Sequence, residues 1–291
     1  MEYTINNDII SLTVSSRGGE PQSVKSADGV DYLWLGSTDY WPGKGPWLFP
    51  FIGRLFEERY MYGGVSYPLS IHGFLRASEM ELASLGKDFV TLRLDSNEQT
   101  LACYPFRFRL TMSYKLVNNS VRIGIDVINQ DDKTMLFAIG GHAGYNVPLE
   151  KGLKFEDYYL EFSEAAAPKR AEPRPTNLMN GNFIDYPLKD GRIIELRHDL
   201  FDNDAVILKD APRSVTLKSD KGSRAVRVDY PDCEYIAFWH TVRKEAPFIC
   251  VEPWTALPGC EGEVQELEKH KDMISLAPGA TYRHECAITI I

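Results

Sequence analysis

The sequence has little cysteine, and what it has is dispersed: Cys103, Cys233, Cys250, Cys260 and Cys286, an odd number with no Cys-x-x-Cys spacing. That pattern argues against a disulfide framework or a zinc ribbon and fits reduced thiols. Basic runs are missing too. Lys and Arg number 32 against 41 Asp and Glu, for a net charge of -9, so the surface repels phosphate backbones and anionic headgroups. Neither nucleic acid nor a membrane is an expected partner. No apolar stretch approaches the ~20 residues of a bilayer span. The start, Met1-Glu2-Tyr3-Thr4-Ile5-Asn6-Asn7-Asp8, has no basic and apolar leader, so a cytoplasmic location is expected.

Several chemical signatures are also lacking. Gly43-Lys-Gly-Pro46 has the wrong spacing for a phosphate loop, and there is no Gly-x-Ser-x-Gly elbow and no His-x-His or His-Glu-x-x-His pair. Asp202-Asn-Asp204 does not extend into a calcium loop. A nucleotide phosphate loop and a paired-histidine or EF-hand metal site are therefore not expected. Helical periodicity is weak: residues 97–103 and 263–270 offer a turn or two each. Residues 165–175, rich in alanine and proline, read as an excursion rather than a linker, and no propeller or solenoid repeat is visible.

What the sequence does contain is short strands. With 44% hydrophobic and 12% aromatic residues it can fill a large core. Residues 9–14 alternate apolar and polar, and 60–67 form a hairpin around Gly63-Gly64. Residues 106–116 and 121–128 flank Asn118-Asn119 as a longer hairpin. Further strands fall at 135–139, 158–162, 205–208, 214–218, 225–228, 235–239, 248–251 and 282–290. The expected class is all-β, a large β-sandwich forming a single domain over residues 1–291, with a closed barrel as the second choice.

Three separated segments carry the candidate chemistry: Phe49-Pro-Phe-Ile-Gly-Arg54 running on to Ile71-His-Gly-Phe74, Gly140-Gly-His-Ala-Gly-Tyr-Asn146, and Cys250-Val-Glu-Pro-Trp254. Together Arg54, His72, His142 and Glu252 would supply a proton donor, a proton acceptor and two orienting donors. Each has a plainer reading. His142 and His72 could be satisfied strand-end histidines, Arg54 a surface ion pair and Asp204 a turn residue. His198, His270 and His284 stand among charged residues and are expected at the surface, with His240 intermediate. Glu252 follows the apolar run 248–251 and precedes Pro253-Trp254, where the ladder should end, so it is either paired or exposed at a cavity lip. Trp34, Trp41, Trp47, Tyr145, Trp239 and Trp254 are core residues by default. Their faces also suit the C-H face of a sugar.

Leu48-Phe-Pro-Phe-Ile-Gly-Arg54, His72-Gly-Phe-Leu-Arg76, Gly140-Gly-His-Ala-Gly-Tyr-Asn-Val-Pro-Leu149 and Ala246-Pro-Phe-Ile-Cys-Val-Glu-Pro-Trp254 resemble the aldose 1-epimerase (galactose mutarotase) family, and within it the LacX-like branch. The resemblance spans nearly the whole chain. It implies a galactose mutarotase-type sandwich and a cofactor-free epimerase acting on a sugar. By position, His142 matches the general acid, Glu252 the general base, His72 the substrate-orienting histidine, Arg54 the sugar-binding arginine and Asp204 an acid that binds sugar hydroxyls. Trp254 and Arg76 join them as substrate-binding candidates. Ala143 and Tyr145 depart from the usual proline and phenylalanine, which bears on substrate preference. Three other readings compete: a sugar-binding or sensor module without turnover, a glycoside hydrolase using Glu252 and Asp204, and a hexose-6-phosphate epimerase, a branch that His72-Gly-Phe-Leu-Arg76 also resembles but whose Arg-Gly-Gly-Ile segment has no match before Phe49. A free aldose is favoured over its phosphate.

Overall fold

The computed structural model describes residues 1–174 and 176–291. Its strands form two large antiparallel sheets and three small ones. The nine-stranded sheet runs Ile193–Glu195, Tyr159–Phe162, Ser214–Lys218, Val226–Asp229, Thr281–Ile290, Ser120–Asn129, Phe108–Val117, Phe89–Asp95 and Glu81–Leu85. At its centre is the long hairpin expected from the sequence. The chain reverses at Asn118, whose φ of 53° suits an asparagine. Leu110, Met112, Tyr114, Ile123, Ile125 and Val127 point inward, while Lys115 and Arg122 point out. Each such side chain contributes about 1.5–3 kcal/mol when fully buried. A slip of one residue would turn them all to solvent.

The second large sheet runs Phe183–Asp185, Lys169–Ala171, Val206–Lys209, Tyr235–Trp239, Phe248–Trp254, Gly140–Gly141 and Trp47–Leu48, with Ala143–Asn146 also paired to Phe248–Trp254. The two sheets share one core. Phe162 of the first lies 6.2 Å from Phe238 of the second. Trp47 Nε1 donates to Tyr114 Oη across the layers at 2.6 Å, and that hydroxyl donates to the Gly19 carbonyl at 2.6 Å. The expected all-β sandwich is the observed architecture.

Some local expectations need correction. The ladder does not end at Pro253: Ile236 pairs with Pro253 and Tyr235 with Trp254, and all seven residues of Phe248–Trp254 are buried. On the other side of this strand, Gly140 pairs with Trp254 and Ala143 with Val251. The same register sets Gly141 opposite Pro253 and His142 opposite Glu252. The ladder lapses there because Pro253 has no N–H to donate, so the proline interrupts one neighbour without ending its own strand.

Residues 97–103 do form a helical turn, Glu98–Cys103, capped by Asn97 Oδ1, which accepts from the Gln99 and Thr100 N–H groups. Residues 263–270 give only the 3-10 turn Leu267–Lys269. The strand expected at 135–139 stops at Phe137. The 165–175 excursion contributes the strand Lys169–Ala171, and Pro175 lies outside the described residues. His284 is 1% exposed rather than solvated, because it occupies an inward position of Thr281–Ile290. His198 and His270 are half-buried against Phe155 and Phe51. Among the described residues, no helix is long and apolar enough to cross a membrane.

Candidate active site

A cavity of about 370 Å³ opens against the eight-stranded sheet, within the range of small-molecule sites. All seven residues singled out from the sequence line it: Arg54, His72, Arg76, His142, Asp204, Glu252 and Trp254. They arrive from separate elements. Glu252 and Trp254 share one face of the central strand, and His142 stands at the break between Gly140–Gly141 and Ala143–Asn146. Arg54, His72 and Arg76 come from the chain after Trp47–Leu48, and Asp204 from the loop before Val206–Lys209.

Because His142 and Glu252 are cross-strand neighbours, their side chains meet: His142 Nε2 lies 3.3 Å from Glu252 Oε2. Both are shielded, at 11% and 2% exposure, and burial dominates their protonation. It pushes the Glu252 carboxyl well above the usual carboxylate range, with the nearby Asp204 charge adding to the rise. It lowers His142 to about 4, against a smaller opposing pull from its own backbone. At neutral pH the pair therefore holds one proton and no net charge, since doubly protonated and doubly deprotonated forms would each bury an uncompensated charge.

His72 is fixed by two hydrogen bonds with Gly53. Its N–H donates to the Gly53 carbonyl at 2.9 Å, and its Nδ1 accepts from the Gly53 N–H at 3.1 Å. Since Nδ1 accepts, the ring proton sits on Nε2, making His72 a neutral donor. Burial, then the charges of His142, Arg76 and Arg54, hold it well below the ordinary imidazole value. Asp204 occupies a left-handed turn at φ 73° and accepts from the Ala205 N–H at 2.8 Å. Burial raises its carboxyl, partly offset by that bond, Arg54, Trp239 and Asn177. The indole N–H of Trp254 is buried without a hydrogen-bond partner among the described residues. Such an orphan donor on a cavity wall is satisfied when a polar ligand binds.

Arg54 makes no ion pair among the described residues, and neither does Arg76. The plainer reading of Arg54 as a surface pair therefore does not hold. A third arginine on the wall, Arg174, is engaged by Glu261 at 2.9 Å. Among the described residues, the one His/Cys/carboxylate set close enough to share a cation is His142, Cys250 and Glu252, with donor atoms within 4.8 Å. Cys250 is fully buried, and burial raises its thiol well above the ordinary value. A cation there would require the Cys250 thiol and the Glu252 carboxyl, whose protons burial retains, to be deprotonated.

The aldose 1-epimerase family model matches residues 1–289. This chain belongs to the aldose 1-epimerase family. It is 33% identical to the plasmid-encoded protein LacX of Lactococcus lactis subsp. lactis, over the whole of both chains. In structure it is similar to a galactose mutarotase related enzyme from Lactobacillus acidophilus, with a TM-score of 0.95, 32% identity, and coverage of 100% of this chain and 97% of that one. A galactose mutarotase-like protein from Lactobacillus casei matches at a TM-score of 0.95 and 31% identity, over all of both chains.

Of the candidate aromatics, Trp41 and Trp239 also wall the cavity, and beside them stand Asn177, Asn203 and Arg174, which the sequence did not single out for binding. Asn203 adjoins Asp204, which was a usable signal. Asn177 and Arg174 come from irregular chain with no periodicity to read. Trp34, Trp47 and Tyr145, grouped with the candidate aromatics, prove to be packing residues: Trp47 bonds Tyr114, Trp34 Nε1 donates to the Trp41 carbonyl, and Tyr145 is 1% exposed.

Proposed function

We propose that the protein is an aldose 1-epimerase acting on a free aldose, with His142 and Glu252 as the proton-transfer pair. The observation that carries this reading is the 3.3 Å contact between His142 Nε2 and Glu252 Oε2 on the wall of a sugar-sized cavity. Interconverting anomers requires removing the C1 hydroxyl proton while protonating the ring oxygen. The C1–O5 bond then breaks, the C1–C2 bond rotates, and the ring closes with both proton transfers reversed. Two groups that share one proton perform this without net consumption of acid or base. Each transfer typically contributes about 10²–10⁴ in rate.

In the empty cavity, burial favours the carboxylic acid and neutral imidazole. Sugar hydroxyls entering the cavity solvate the ionised form, and the proton passes from Glu252 to His142. Glu252 then accepts from the C1 hydroxyl and His142 donates to O5. His72 Nε2–H and the orphan indole N–H of Trp254 donate to hydroxyls, and Arg54 and Asp204 fix the far side of the ring.

A 6-phosphate substrate is the second reading, favoured by Arg54 and Arg76, which make no ion pair among the described residues. Against it, Arg174 is engaged by Glu261, and the carboxyls of Glu172 and Asp204 line the same cavity. A neutral sugar suits that balance better, so kcat/KM for D-glucose or D-galactose should exceed that for the 6-phosphate. A tenfold preference for the phosphate would reverse the assignment. The pair itself is tested by the pH dependence of kcat/KM, which reports the groups of the free enzyme. The active form holds one proton, so rate falls at acid pH as a second proton binds, near the lowered His142 value of about 4. It falls at alkaline pH as the last proton leaves, above the raised Glu252 value. The result is a plateau wider than an unperturbed carboxylate and imidazole would give, with limbs that belong to the pair. A narrow bell between about 4.3 and 6.5 would mean that the two groups titrate as they do in water.

A further inference from the structure

His142 lacks the usual means of orienting a reactive histidine. Such a ring is ordinarily held by a hydrogen bond at its second nitrogen. Here Nδ1 is buried and, beyond the pull of its own residue's backbone, has no hydrogen-bond partner among the described residues. The terminal torsion of histidine is broad, so the ring plane is set by what packs on it. Trp41 covers one face, with centroids 4.9 Å apart and planes inclined 30°. His72 and Trp239 meet the imidazole edge-on, at 5.4 and 5.8 Å.

The indole is itself held firmly. Its far surroundings are Phe248, stacked at 5.8 Å, and Trp239, T-shaped at 5.7 Å. The Trp41 carbonyl accepts from Trp34 Nε1 at 2.8 Å and from the Ser37 N–H at 2.9 Å. The following turn is tied down by the Gly144 N–H donating to the Lys44 carbonyl at 2.8 Å, and by Glu20 Oε1 accepting from the Gly45 N–H at 2.9 Å. Space for the ring is left by two glycines. A Cβ at Gly43 would stand 2.5 Å from indole Cζ2, and one at Gly144 3.3 Å from Cζ3.

We propose that Trp41 is the positioning residue for His142, fixing the imidazole plane so that Nε2 stays on Glu252. The proposal rests on the acid–base reading of that pair. An aromatic face over the imidazole does two things: it blocks rotation about the terminal torsion, and it favours the imidazolium formed during turnover. Because Trp41 acts through His142, its loss should appear in kcat more than in KM.

The test compares wild type, Trp41→Phe and Trp41→Leu by ¹⁵N NMR of the His142 imidazole at neutral pH, by kcat and KM for a free aldose, and by circular dichroism. Wild type should show one sharp tautomer. Phenylalanine, which keeps a ring over the imidazole, should preserve that signal and hold kcat within about threefold. Leucine keeps bulk but not the face; the signal should broaden or average over two tautomers, with kcat down about tenfold and KM within threefold. A folded leucine variant with wild-type tautomer and kcat overturns the proposal, as do equal losses in both variants, which would mark packing alone. If leucine does not fold, Trp41→Met makes the same comparison. A wild type without turnover would sink the functional reading instead, and the tautomer measurement would still decide the role of Trp41.

Discussion

The two large sheets obey different rules. In the nine-stranded sheet the strands Phe108–Val117 and Ser120–Asn129 alternate inward apolar with outward polar residues, and the turn between them uses asparagine where the backbone needs a left-handed residue. In the eight-stranded sheet the central strand is buried at every position, yet carries a glutamate, a proline and a tryptophan whose N–H has no partner among the described residues. One neighbour of that strand breaks into Gly140–Gly141 and Ala143–Asn146. Local pattern and global fold agree in the first sheet and conflict in the second. Such conflicts destabilise a fold and persist where they perform chemistry.

The largest effect should follow from removing the buried carboxyl. Glu252→Gln keeps the shape and a hydrogen-bonding group but ends the proton transfer, so kcat should fall by about 10²–10⁴ while circular dichroism stays that of wild type. The same variant should be more heat-stable. A folded-state pKa raised above the unfolded value gives stability that is full below about 4.5 and is lost as pH rises toward the folded value. The melting-temperature gain of Glu252→Gln should therefore be small at pH 4.5 and grow toward pH 8. An unchanged kcat, or a gain that shrinks with pH, would erase the contrast between the sheets.

A converse substitution probes the regular sheet. Ile125, 1% exposed and paired with Met112 and His284, should cost about 2–5 kcal/mol as Ile125→Ala. At a temperature where the variant is folded, kcat should stay within twofold. A tenfold loss of kcat would show that the nine-stranded sheet also shapes the site.

The smallest effect concerns the one polar residue buried on that inward face of Thr281–Ile290. Burial lowers His284 to about 4, and its Nδ1 has no partner among the described residues. The unfolded chain takes up a proton near 6.5 that the folded protein refuses, so stability is lost as pH falls from about 6.5 through 4. His284→Leu should change stability by less than about 1 kcal/mol at pH 8 and remove part of the acid loss. Equal acid sensitivity in denaturant melts of the variant and wild type would assign that loss to other groups.

These differences also explain what the sequence disclosed. The 108–129 hairpin was readable because a period of two and an Asn-Asn turn are local signals. His142 and Glu252 stood out because glycine, histidine, glutamate and proline interrupt apolar strands. Their direct opposition was not readable, since it depends on the register between segments more than 100 residues apart in sequence. His284 misled because Arg283 and Glu285, its charged neighbours, occupy the opposite face of the strand and say nothing of its own surroundings. Arg174 and Asn177 reach the cavity from irregular chain, where neither period nor turn chemistry points to a destination.

The most direct measurement is polarimetry of freshly dissolved α-D-galactose and α-D-glucose approaching anomeric equilibrium, with wild type, Glu252→Gln and buffer side by side. The account predicts that wild type accelerates the approach for at least one of these free aldoses and that Glu252→Gln tracks close to the buffer rate. Wild type at the buffer rate with both sugars, while still binding them in calorimetry, would contradict it and leave a sugar-binding module on an epimerase fold.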